Sequence, residues 1–295
     1  MKKSGFVALL GRPNVGKSTL LNRILGSRIA IVTPKPQTTR DRIAGIHTEE
    51  RGQIVFLDSP GIHRPRKALN EYMVRTAERI AGESDIVAHV VDDRSPEAGG
   101  EEGLVRGIIG QVTVPRVLVV NKADRLGAAA ADARRDDLMR SGFYAEGFVL
   151  SAKDGKGVAR FVDFLFGLLP AGPAYFPDED LTDLPMRFIA KEVIREKLFQ
   201  VLSDELPYSV AVVIDEYKED PEKGLTRIRA DVCVERESQK GIVIGRGGSV
   251  LKKVGTEARL ELEKTTGERV YLELFVKVER EWSRNETTLR RLGYA

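Results

Sequence analysis

One cysteine, one tryptophan and three histidines occur among 295 residues. The lone Cys233 excludes an internal disulfide and any cysteine-rich zinc site. With so few histidines beside it, a metal cage of His and Cys is not expected either. No window reaches the 18 consecutive apolar residues of a membrane span. The opening MKKSGFVALLG starts like an export signal, but its apolar run, Phe6 to Leu10, is short and leads into a glycine motif. A cytoplasmic protein is therefore the expectation. Charge of one sign is also scarce: the formal net charge is +3, with +6 on residues 1–175 and −3 on the rest. Bulk charge makes no case for nucleic acid, so any such case rests on local patches.

What is present is a globular balance, 42% hydrophobic and 31% charged, in a chain long enough for two domains. Pro170, Pro173, Pro177 and Pro185, mixed with Asp178, Glu179, Asp180 and Asp183, mark a seam that no helix or central strand can cross. The expected division is residues 1–170, a linker 171–186, and residues 187–295. Before the seam, short apolar runs (Phe6 to Leu10, Ile54 to Leu57, Ile86 to Val91, Val117 to Val120, Gly147 to Leu150) alternate with helical spacing. That predicts an α/β domain with a mostly parallel, doubly wound sheet. After it, a helix from Phe188, strands Ser209 to Ile214 and Thr226 to Val234, a glycine loop, a helix to Lys264 and a strand Val270 to Val278 predict a smaller α+β module.

The strongest motif is Gly11-Arg12-Pro13-Asn14-Val15-Gly16-Lys17-Ser18, which follows a strand and opens a helix at Thr19. Glycines let backbone N–H groups curl around phosphate, and the helix N-terminus adds partial positive charge. Lys17 is placed to reach the β- and γ-phosphates and Ser18 to bind Mg²⁺. Asn121-Lys122-Ala123-Asp124 ends a strand at the carboxyl edge of the sheet. A carboxylate there accepts from N1–H and the 2-amino group of guanine, donors that adenine lacks, which argues against an ATP-using kinase. Asp-x-x-Gly occurs at Asp58, Asp124 and Asp154, but only Asp58 follows a strand and lies between these two motifs. Asp58 is expected on the Mg²⁺ side, Gly61 at the γ-phosphate, and Thr39 as a further hydroxyl for the metal. Ser151-Ala152-Lys153 offers backbone N–H groups to the guanine carbonyl.

Gly241 to Ser249 carries a second signal, a Gly-x-x-Gly at Gly245-Arg246-Gly247-Gly248 after Ile242, Val243 and Ile244. Lys252 and Lys253 follow one turn later, and Arg236 to Lys253 holds a local charge of +4. This resembles a KH domain of the bacterial type, in which a glycine loop lets an RNA backbone pass close. Ile242, Ile244, Gly245, Arg246, Gly247, Gly248, Lys252 and Lys253 are the candidate RNA-binding residues.

The strings GRPNVGKSTLLN, PQTTRDR, DSPG, NKAD and SAK, with ELPYS at Glu205 to Ser209 and the terminal LRRLGYA, together resemble the Era family of bacterial translation-factor-like GTPases over nearly the whole chain. Ser59 departs from the more usual threonine. The resemblance implies a GTP/GDP-binding switch that uses Mg²⁺ and binds the single-stranded 3′ end of small-subunit ribosomal RNA. It further implies a role in assembling the small ribosomal subunit, and a protein partly peripheral at the membrane; a monomer is expected. Nucleotide contacts are expected from Gly11, Asn14, Val15, Gly16, Lys17, Ser18, Thr19, Asp58, Gly61, Asn121, Lys122, Asp124, Ser151, Ala152 and Lys153. Lys17, Thr39, Gly61 and Asn14 are the candidate catalytic residues. Ile62 stands where related GTPases carry a water-orienting glutamine, which predicts slow hydrolysis. In similar GTPases an asparagine at the position of Asn14 helps hold K⁺; the alternative is that Asn14 only stabilises the loop. A non-enzymatic RNA-binding factor with guanine nucleotide as a structural ligand remains the second reading.

Overall fold

The computed structural model describes residues 1–93 and 100–294; Ala295, the last residue of the terminal string, lies outside them. The chain divides into two compact units, residues 1–66 with 73–183, and residues 67–72 with 184–295.

In chain order the first unit carries β1 (Lys3–Leu10), α1 (Lys17–Leu25), β2 (Ile43–Glu49), β3 (Gly52–Asp58), α2 (Ala68–Gly82) from Met73 onward, β4 (Ile86–Val91) and α3 (Gly100–Gly110). It continues with β5 (Arg116–Val120), α4 (Ala123–Leu126), α5 (Ala128–Met139), β6 (Glu146–Val149) and α6 (Val158–Leu168). Among the described residues, these six strands form one sheet in the order β2-β3-β1-β4-β5-β6. Every neighbouring pair is parallel except β2 with β3. β3 and β4 are buried at every position, as strands covered on both faces must be, and this is why they read as unbroken apolar runs. All five predicted strands are present. β2 is the one the sequence reading lacks: IAGIHTE mixes Gly45 and polar residues, and only its hairpin pairing with β3 makes it a strand.

The proline-rich residues after α6 run along this unit. Ile46 N–H donates to Leu181 O at 2.9 Å, and Thr182 Oγ1 donates to Ala44 O at 2.6 Å. The buried Gln53 carboxamide accepts from the N–H groups of Tyr175 (2.8 Å) and Phe176 (3.0 Å).

The second unit holds α7 (Met186–Val201), β7 (Val210–Asp220), β8 (Leu225–Val234), α8 (Glu237–Ile244), α9 (Ser249–Thr266), β9 (Arg269–Val278) and α10 (Glu286–Arg291). Its sheet runs β7-β8-β9, antiparallel then parallel. The sequence reading lacks α8, whose Gly241 and apolar Ile242–Ile244 conceal an eight-residue helix. Trp282 is fully buried and donates from Nε1 to Ser209 O at 3.0 Å, so it serves the core.

Candidate functional site

Parallel strands β1, β3, β4 and β5 end on one edge of the sheet, and the loops that leave them build the first site. Gly11–Gly16 leaves β1 and turns into α1. Its glycines are sterically required: a Cβ at Gly11 would sit 2.3 Å from Val90 O, and one at Gly16 would sit 2.3 Å from Asn121 Nδ2. Gly16 is also at φ 99°, where a side chain is disfavoured. Asn121 locks two motifs together, donating to Val15 O at 2.9 Å and accepting from the Ala152 N–H at 2.9 Å. The Ala152 N–H is thereby committed to Asn121 in this arrangement. Lys122 lies across the loop, its Nζ 2.6 Å from Asn14 O and 2.6 Å from Asp92 Oδ2. Asp124 is exposed at the rim, where its Oδ1 accepts from Ser151 Oγ at 2.8 Å.

Lys17 is buried and donates to Gly11 O and Arg12 O, both at 3.1 Å. Burial pulls its pKa down to about 8, against the opposing attraction of Asp58. Burial pushes Asp58 up to about 6, opposed by Lys17 and by hydrogen bonds from Ser18 and Thr39. Ser18 Oγ lies 2.6 Å from Asp58 Oδ2 and 3.0 Å from Thr39 Oγ1, and Thr39 Oγ1 is 3.5 Å from the same carboxylate. Among the described residues, Asp58 Oδ1 is buried with no hydrogen-bond partner. Three oxygens converging from three segments, one carboxylate oxygen unsatisfied, is a donor set suited to a hard divalent cation. Mg²⁺ therefore fits here, and Ser18, Thr39 and Asp58 are the residues that would hold it.

A cleft of about 330 Å³ joins these groups; Asn14, Gly16, Lys17, Ser18, Thr19, Thr39, Gly61 and Lys122 line it. Gly61 backs onto Pro13, whose Cα would be 2.7 Å from an added Cβ. Ile62 faces away, fully buried in the core with Leu10, Val55 and Ala77, while its N–H donates to Gly11 O at 3.1 Å. Burying that side chain is worth roughly 2 kcal/mol, so it stays inside. Asn14 sits at φ 62° and donates from Nδ2 to Pro34 O at 2.9 Å, tying the phosphate loop to the segment that carries Thr39. Sequence reading gave no role to Asp92 or Gln37. Asp92 directly follows β4 and pairs with Lys122, and its place at a strand end beside the other motifs was the available signal.

In the second unit, Gly245, Gly247 and Gly248 have φ of 76°, 59° and 79°. A Cβ at Gly245 would strike Val250 at 2.6 Å, whereas Gly247 and Gly248 face open space. Ile242 is 59% exposed, Val243 is buried and Ile244 half-buried, so α8 offers two apolar side chains beside the loop. Arg246, Lys252 and Lys253 are exposed, the two lysines near the start of α9. A groove with an open backbone, apolar contacts and cationic flanks suits a single-stranded polyanion.

Comparisons with known proteins cover both units. Residues 6–122 match the family described as 50S ribosome-binding GTPase, and residues 205–283 match the KH domain family. The GTPase Era of Geotalea uraniireducens is 49% identical over 292 residues, 99% of this chain and 98% of that protein. That of Geobacter metallireducens is 48% identical with the same coverage. A point variant of Aquifex aeolicus Era bound to GDP and AlF4⁻ superposes with a TM-score of 0.95 at 37% identity, over 99% of both chains. Era in complex with MgGDPNP and nucleotides 1506–1542 of 16S ribosomal RNA also gives 0.95, at 38% identity over 100% of both chains.

Proposed function

The chain belongs to the Era family of GTPases, a P-loop nucleotide domain of α/β fold followed by a KH domain, and from that premise we propose that it is a slow GTP-driven timer for a step in small-subunit assembly. The observation that carries the switch is the convergence of Ser18, Thr39 and Asp58 within 3.5 Å, with Asp58 Oδ1 unsatisfied. Thr39 comes from the loop before β2, so that loop would respond to a γ-phosphate and Mg²⁺ held at this site and to their loss on hydrolysis. Mg²⁺ held by Ser18, Thr39 and Asp58 would neutralise phosphate charge. Lys17 and the loop N–H groups stabilise charge on the transferring phosphoryl group, while Asp124 selects guanine. The slow rate follows from Ile62, buried where a water-orienting side chain would have to reach the cleft. Asn14, 2.9 Å from Pro34 O, is placed to share a K⁺ with that carbonyl once its carboxamide turns.

For the RNA, the two comparisons point different ways. The family description over residues 6–122 names the large subunit, whereas the end-to-end structural match holds a 16S fragment. The match that includes the KH domain spans the whole chain and supports the small subunit in this reading. A monomer with a fraction peripheral at the membrane completes the reading taken from the family.

Multiple-turnover GTP hydrolysis with Lys17→Ala as control tests the switch. The wild type is expected to turn over slowly and Lys17→Ala at least ~100-fold less. Equal rates would leave the nucleotide a structural ligand. Exchanging K⁺ for Na⁺ should slow hydrolysis while GTP affinity holds, and unchanged rates would remove Asn14 from ion binding.

A further inference from the structure

With Ile62 buried, the water that attacks the γ-phosphate lacks its usual guide. Most polar side chains of the cleft are already engaged. Lys17, Ser18 and Thr39 serve phosphate and metal, Asn14 holds Pro34 O, and Thr33 and Thr38 hold each other at 2.7 Å. Gln37 lines the same cleft and is different. Its Nε2 lies 3.3 Å from His63 Nε2, and among the described residues its Oε1 has no hydrogen-bond donor. His63 is itself fixed, with Nδ1 2.9 Å from Gly61 O. A carbonyl oxygen only accepts, so Nδ1 carries the proton and donates. Nε2 of the neutral ring is then an acceptor, and it takes an N–H from Gln37. The carboxamide is thereby oriented, leaving one oxygen acceptor and one N–H donor for a ligand.

We propose that Gln37 positions the attacking water, with His63 as the residue that sets its orientation through Gly61. In the step, the water oxygen forms the new bond to the γ-phosphorus as the bond from that phosphorus to the β-phosphate oxygen breaks. GDP leaves with the electron pair. One water proton passes to a γ-phosphate oxygen, giving inorganic phosphate. Gln37 Oε1 accepts a hydrogen bond from the water throughout and neither gains nor loses a proton. The guide thus comes from the segment before β2 rather than from the position after Gly61. It stands two residues before Thr39, whose hydroxyl lies 3.0 Å from Ser18 Oγ. This deepens the reading of the chain as a GTPase and rests on it.

Single-turnover GTP hydrolysis by the full chain, with Mg²⁺ and K⁺ present, is the test, alongside equilibrium binding of GDP, a GTP analogue, and GDP with fluoroaluminate. Gln37→Ala and Gln37→Asn are both expected to lower kcat by roughly 10- to 100-fold, with KM and GDP affinity within about twofold of wild type. Affinity for GDP with fluoroaluminate, which mimics the transferring phosphoryl group, should fall by the same factor as kcat. His63→Ala should lose less, His63→Asn should recover part of that loss, and His63→Ala should add nothing to Gln37→Ala. Wild-type kcat in both Gln37 variants overturns the proposal, as does a loss of GDP affinity that matches the loss of rate. A wild type no faster than Lys17→Ala overturns the GTPase reading and this inference with it.

Discussion

At Gly16 of the phosphate loop an added Cβ would come within 2.3 Å of Asn121 Nδ2, whereas at Gly247 and Gly248 of the second unit it would meet nothing within 4 Å. The two loops share a composition and differ in what their glycines avoid. In the first, the chain itself crowds the glycines: Asn121 and Val90 pack against the loop and hold its shape before any ligand arrives. In the second, the backbone angles of Gly247 and Gly248 favour glycine while the space in front of them stays open. A preshaped cradle suits a compact, highly charged group whose binding must be selective, since the donors need no reorganisation. An open ledge suits an extended strand that brings its own backbone up close.

Gly16→Ala is the severest way to break this comparison. The methyl would displace Asn121, which also ties Val15 and Ala152, and the residue would be held at φ 99°. Guanine-nucleotide affinity should fall at least ~100-fold, because misplacing the loop by about an ångström affects every phosphate contact at once. Fluorescent GDP binding measures this. Near-normal affinity would mean that Asn121 moves aside freely and that the cradle is not preshaped.

Gly248→Asp attacks the open loop instead. It adds a negative charge to a ledge flanked by Arg246, Lys252 and Lys253 and forces a side chain into φ 79°. Affinity for a short single-stranded RNA should drop roughly tenfold or more, with a salt dependence shallower by about one counterion. GTP binding should be unchanged. Equal RNA binding by variant and wild type across the salt series would take RNA off this loop.

The same contrast explains what the sequence made legible. The phosphate loop, the guanine motif and Asp58 each stand at the end of an apolar strand, so periodicity placed them on one sheet edge before any coordinates did. β2 was not legible, because an edge strand with Gly45, His47 and Thr48 carries no clean apolar period and owes its existence to pairing with β3. α8 was hidden for the opposite reason: Ile242, Val243 and Ile244 read as an apolar run, and only tertiary packing of Val243 reveals a helix. Gln37 was visible as part of a polar segment but had no role there. Its use depends on His63, 26 positions away, which no local pattern can report.

Titration gives a smaller effect confined to the first site. Asp58 has a folded pKa of about 6, above its ordinary 3.8. Between those values the folded chain binds the extra proton, so the contribution of Asp58 to stability declines as pH rises from about 4 to 6. Lys17, lowered to about 8, works the other way: its contribution improves as pH rises from about 8 towards 10.5. In nucleotide-free protein, the melting temperature of Asp58→Asn relative to wild type should therefore climb between pH 4 and 6 and then level off. The change is at most about 3 kcal/mol, some of it lost to the coupling with Lys17. Mg²⁺ and GDP should reverse the difference above pH 6, since the ligands supply the missing counter-charges. A flat difference across that range would mean that the carboxylate is already solvated.

Gly247→Ala should do least, and for that reason it sharpens the comparison most. It makes the same change as Gly16→Ala, one methyl on a glycine of positive φ, but at 59° and with no neighbour within 4 Å. The left-handed backbone costs an alanine about 1 kcal/mol, partly offset by the lower entropy of the unfolded chain. Melting should shift by only a few degrees, nucleotide affinity not at all, and RNA affinity by about threefold or less. If Gly247→Ala instead destabilised the protein as much as Gly16→Ala, the second loop would have to be packed against something. Gly247 would then serve the fold, as Gly245 and the glycines of the phosphate loop do, rather than the approach of a strand.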